Sequence, residues 1–155
     1  MFKKIITFSF LFFLLSTNLN AVVTVLGSSD AHICYKRAKY GSTTQSSVLT
    51  CLKAISDMTI SKRDIDASRI NLGIIYNNKS KPKMALEQFE IAFKNESMRA
   101  EIFLNQGNSL LLLKDYKGAL EKYQASLENN LEDISAIYFN KGMAHEYLGN
   151  IDQAV

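Results

Sequence analysis

Apolar positions recur with a helical period along most of this chain. From Ala31 to Tyr40 the small or apolar residues are Ala31, Cys34, Tyr35 and Ala38, a spacing that predicts a helix opened by Ser28-Ser29-Asp30. Gly41-Ser42-Thr43-Thr44 breaks it, and Gln45 to Met58 resumes with Val48, Cys51, Leu52 and Ile55 on one face. The two stretches predict an antiparallel helix pair. Beyond them the pattern repeats. Asn71-Leu72-Gly73, Asn105-Gln106-Gly107 and Asn140-Lys141-Gly142 echo one another at intervals of 34 and then 35 residues, and twelve residues after each Gly stands an Ala: Ala85, Ala119 and Ala154. A period of this length marks helical units that cannot bury their own apolar face and must stack on neighbours.

The residues inside each period are consistent with that reading. The first repeat carries Leu72, Gly73 and Tyr76 on one helix and Ala85, Phe89 and Ala92 on the next. The second carries Phe103, Gly107 and Leu110, then Ala119, Tyr123 and Ser126. Small residues let two helix backbones approach, and the aromatic rings fill the volume beside them. Asp115 is placed to cap the helix that follows it, and Pro82 falls where a first helical turn tolerates proline. The run Leu110 to Leu113 covers all sides of a turn, so part of it must face away from the core of its own repeat. The third repeat has Tyr138, Gly142 and Leu148 and reaches Val155 about a turn into its second helix. The chain thus divides into residues 1–21, 22–65, 66–99, 100–134 and 135–155.

Residues 1–21 have another character. Met1-Phe2-Lys3-Lys4 is followed by an apolar stretch from Ile5 to Leu15, then by a polar run ending at Ala21. This is the plan of a secretory signal peptide, with cleavage expected after Ala21. An uncleaved anchor is the alternative, although the apolar stretch is short of the roughly 20 residues a membrane span needs. Val22 to Leu26, β-branched and apolar, reads as an extended segment or as a tail packed on the first helix. Loss of Lys3 and Lys4 lowers the formal charge from +3 to +1. No clustered basic face then argues for nucleic acid, and Lys79, Lys81 and Lys83 read as a solvated turn.

Cys34 and Cys51 are the two cysteines. In an exported chain an even number suggests pairing. Both lie on the predicted inward faces of their helices, so a disulfide is the expectation and two buried thiols the alternative. A nucleophilic thiol lacks an identifiable base. No fourth ligand within reach by sequence joins Cys34, Cys51 and His32 to make a zinc site. The two histidines, His32 and His145, lie far apart, and neither a phosphate loop nor a nucleophile motif is present. We therefore expect no catalytic residues, cofactor, metal or small-molecule substrate.

The alternation of Gly, aromatic, Ala, aromatic and Ala resembles the tetratricopeptide repeat family over about 90 residues. The match is Leu72, Gly73, Tyr76, Ala85, Phe89 and Ala92, then Phe103, Gln106, Gly107, Leu110, Ala119, Tyr123 and Ser126. It departs at Ser97 and Leu131, where a closing proline is usual, at Arg69, and at His145. The Cys-bearing pair ahead of such repeats also resembles, more loosely, small exported bacterial repeat proteins. The resemblance implies an all-α fold, a right-handed α-solenoid of antiparallel helix pairs. Its concave groove commonly holds an extended peptide or a partner helix. On that expectation Asn71, Ile74, Asn78, Asn105, Asn108, Leu112, Asn140, Met143 and Tyr147 face the groove, with Ile70 and Asn77 beside them.

Asn71, Asn105 and Asn140 would form a ladder of amides, each with donors and an acceptor for a peptide backbone. The same amides could instead bond neighbouring helices and fix the stacking. No pair of basic residues converges there, which argues against a clamp for a terminal carboxylate. The expected role is a protein or peptide interaction module of the bacterial envelope, in the periplasm or outside the cell. The alternative is an assembly subunit stacking on itself or on a larger complex. The third repeat is uncapped, so either a partner covers it or the sequence is a piece of a longer product; the capping argument favours the latter.

Overall fold

The structure is a computed structural model that describes residues 19–26 and 29–153; most of the expected leader and Ala154 lie outside the described residues. Among the described residues it is all-helical. The helices are α1 (Ser29–Lys39), α2 (Gln45–Ser56), α3 (Lys62–Asn78), α4 (Pro82–Ala92), α5 (Arg99–Leu112), α6 (Tyr116–Glu128) and α7 (Ser135–Tyr147), with 3-10 turns at Glu96–Met98 and Ile151–Gln153. Each helix packs on the next in sequence, and α3 also meets α1 and α5. None of the described helices is long and apolar enough to cross a membrane.

Local chemistry accounts for the helix ends. Thr44 Oγ1 accepts from Ser47 N at 3.2 Å, Ser61 Oγ from Asp64 N at 3.0 Å, and Asp115 Oδ1 from Gly118 N at 3.0 Å. Each satisfies a backbone donor that the first turn leaves free. Helix α3 thus starts at Lys62, four residues ahead of Asp66. The odd-numbered helices share one termination. Gly41, Ser80, Lys114 and Gly149 all have positive φ, and the residue after each donates back into the helix: Ser42 N to Arg37 O, Lys81 N to Tyr76 O, Asp115 N to Leu110 O and Asn150 N to His145 O. This is the left-handed cap that lets a helix stop and the chain turn back. Ser80 and Lys114 adopt it without being glycine, so the sequence does not advertise it.

Inside the pairs, the ring of Phe89 lies where a Cβ on Gly73 would stand, and the ring of Tyr123 where one on Gly107 would stand. Both rings are fully buried. Between α1 and α2, Cys34 and Cys51 are fully buried at disulfide distance, with Cα atoms 4.8 Å apart. The apolar interior forms two clusters. One joins α1 to α4 through Cys34, Ile70, Leu72 and Phe89; the other joins α5, α6 and α7 through Leu104, Tyr123, Ile137 and Ala144. In the leucine run, Leu111 is buried while Leu112 and Leu113 are exposed.

Candidate peptide groove

Residues 19–26 form no helix and run extended across both apolar clusters. Val23 and Val25 belong to the first cluster, and Ala21 packs on the second. The run Val22-Val23-Thr24-Val25 favours extended backbone because β-branched side chains are least crowded there. Its polar main-chain groups then need partners. The Asn of each echo supplies them.

On α3, Asn71 Oδ1 accepts from Val23 N at 3.1 Å, and its Nδ2 donates to Val23 O at 2.8 Å. On α5, Asn105 Nδ2 donates to Ala21 O at 2.8 Å. On α7, Asn140 Nδ2 donates to Leu19 O at 2.9 Å, and its Oδ1 accepts from Leu19 N at 3.3 Å. The gripped residues are 23, 21 and 19, every second one, as the two-residue period of an extended chain requires. All three Asn are fully buried. One helical repeat therefore grips one two-residue step of peptide, and the segment runs counter to the order of the repeats.

Asn108 completes the grip. Its Nδ2 donates to Leu19 O at 2.8 Å and to Asn20 Oδ1 at 3.0 Å. Its Oδ1 accepts from Tyr123 Oη at 2.9 Å and from Asn140 Nδ2 at 2.8 Å, which aims the amide donor at the peptide. Burial pushes the Tyr123 phenol well above its ordinary value, so it stays protonated and remains a donor. At the other end Asp64 Oδ1 accepts from Leu26 N at 3.1 Å, and Arg63 donates to Thr24 O at 3.2 Å. Neither residue was among the sequence candidates. Asp64 stands seven residues before Asn71, two helical turns along the same face, and that spacing was the available signal.

Other expected groove residues sit differently. Ile74 is fully buried and belongs to the first cluster. Asn77 turns to stacking: its Nδ2 donates to Asn105 O at 3.4 Å, and its Oδ1 accepts from Ser109 Oγ at 2.9 Å. Asn78 is half-buried, with no partner at its Nδ2. Leu112 is exposed, Met143 is half-buried against the second cluster, and Tyr147 stacks on Tyr116 at 5.1 Å between ring centres.

Beside Ala21 and Val22 opens a cleft of about 460 Å³, lined by Ala100, Leu104, Leu131 and the carboxylates of Glu96, Glu101, Glu132 and Asp133. No Lys or Arg lines it. Arg99 pairs with Glu96 at 3.1 Å, and the remaining carboxylates oppose an anionic ligand. No protein-family model and no curated protein matches the chain.

Proposed function

We propose that this chain is a non-enzymatic interaction module of the tetratricopeptide type, a right-handed solenoid that holds an extended peptide along α3, α5 and α7 by its main chain. The observation that carries the reading is the register of Asn71, Asn105 and Asn140 on Val23, Ala21 and Leu19. Amide grips on a main chain read few side chains, so affinity comes from backbone and selectivity from the space between rungs. The Cys34–Cys51 pair, at disulfide distance, favours an oxidising compartment and hence an exported protein of the bacterial envelope. The test is an array of extended peptides probed with the wild-type chain and with Asn105→Ala/Asn140→Ala. Capture of neutral, β-branched sequences by the wild type and its loss in the variant support the reading. Equal capture by both removes the ladder from the binding mechanism.

Assembly through α7 is the second reading. Tyr138 and Phe139 are half exposed on that helix, an apolar surface a partner copy could cover. Sedimentation of the full chain as a monomer up to high micromolar concentration would dismiss it.

A further inference from the structure

We infer that Leu19–Leu26 is a resident occupant of the groove, displaced by a second polypeptide segment that is extended, neutral or basic, and small or β-branched at alternate positions. The inference rests on the peptide-groove reading above and adds the ligand class and the means of control.

The ligand class follows from what the resident shows. Val23 and Val25 are buried, while between and beyond them Thr24 and Leu26 are exposed, Leu26 at 85%. The groove therefore buries Val23 and Val25 and takes Ala21 and Val22 half-buried, and all four are small or β-branched. The acid-lined cleft at Ala21 and Val22 selects against Asp and Glu at that point.

Displaceability follows from the unequal rungs. At Asn71 and Asn140 the amide both donates to and accepts from the main chain of one residue. At Asn105 only the donor is used: its Oδ1 is buried and without a partner. A buried acceptor left unpaired is unfavourable. An incoming segment that presents an N–H to Asn105 Oδ1 completes a bond the resident does not make. The other grips are to main chain and transfer to a new sequence, except the bond from Asn108 Nδ2 to Asn20 Oδ1, which needs an acceptor side chain at that point. Against a segment that makes the same contacts, the resident's advantage is its tether, worth an effective concentration on the order of millimolar for a short linker.

The cleavage expected after Ala21 falls between the rung of Asn105 and the rung of Asn71. It would free Asn105, Asn108 and Asn140 while leaving Val23 on Asn71. Processing would in that way open the half of the groove whose middle rung is incompletely filled.

The test uses the full chain and a fluorescent octapeptide of sequence Leu-Asn-Ala-Val-Val-Thr-Val-Leu, blocked at both ends. Val23→Pro in the chain removes the N–H that Asn71 Oδ1 accepts and a buried side chain of the first cluster, and so weakens the resident while leaving the Asn ladder in place. Binding of the octapeptide should tighten about tenfold in that variant, the scale of one lost buried hydrogen bond. Adding Asn105→Ala to Val23→Pro should reverse the gain. Equal affinity for wild type and Val23→Pro overturns the resident-occupant inference but leaves the peptide groove standing. No binding to either, with helix content intact, overturns both. If Val23→Pro does not fold, hydrogen exchange on the unaltered chain decides: saturating octapeptide must speed exchange at the Val23 and Leu26 amides, and unchanged protection overturns the inference.

Discussion

In the pair α3/α4 the ring over the glycine is Phe89, and the residue after that glycine is Ile74. In α5/α6, 34 residues on, the same two positions hold Tyr123 and Asn108. Both rings fill the same space. Only Tyr123 carries a hydroxyl, and that hydroxyl bonds Asn108 Oδ1 at 2.9 Å, which in turn steers Asn108 Nδ2 onto Leu19 O. Ile74 opposite Phe89 leaves no polar group to satisfy. The two pairs thus use one packing lock with two chemistries: the first lock is closed on itself, the second is wired to the groove. A polar residue can enter a buried position of the repeat when its partner changes with it.

The comparison breaks most visibly at the glycines. Gly73→Ala and Gly107→Ala each put a methyl into a fully buried ring, and each should cost about 3 kcal/mol, the upper range for overpacking. Urea unfolding monitored by circular dichroism measures it. A loss in one pair and none in the other would show that the locks are not equivalent. Reduction of Cys34–Cys51 should cost a similar amount, about 3 kcal/mol for the loop it closes. By hydrogen exchange that loss should appear in α1 and α2 before α6, because the staple lies in the first cluster.

Exchanging the chemistries sharpens the contrast further. Phe89→Tyr places a hydroxyl beside Ile74 and should cost about 1–3 kcal/mol as an unsatisfied buried group. Adding Ile74→Asn should recover part of that, a coupling a double-mutant cycle reads directly. Tyr123→Phe should cost only about 1 kcal/mol, since Asn140 still bonds Asn108 Oδ1. The smallest effect belongs to the turns. Lys114→Gly relieves a non-glycine residue at φ 64° and should stabilise by up to about 1 kcal/mol, seen as a raised Tm.

Much of this was legible before any coordinates. The Asn-x-Gly echo located the three helices that carry the ladder. That Gly73 and Gly107 mark close helix approaches with rings filling the volume beside them was readable from their recurrence; that Phe89 and Tyr123 lie directly over those glycines was not. Cys34 and Cys51 fell on inward faces by helical period alone. The turns at Ser80 and Lys114 were not legible, because neither residue is glycine and the positive φ is imposed by the cap. Asn77 was misplaced: it lies six residues after Asn71, and its amide meets Asn105 O and Ser109 on α5, contacts that a helical period does not specify.

The occupant of the groove was the least legible feature of all. Val22 to Leu26 could be read as extended, and nothing more. Local period and residue size determine which face of a helix is buried, so the sequence by itself determined the helices, their pairing and the line of amides. The bonds from Asn71, Asn105 and Asn140 reach residues 48, 84 and 121 positions away. Main-chain partners carry no side-chain signature, so only the tertiary structure decided that the ladder closes on the chain's own residues 19–23.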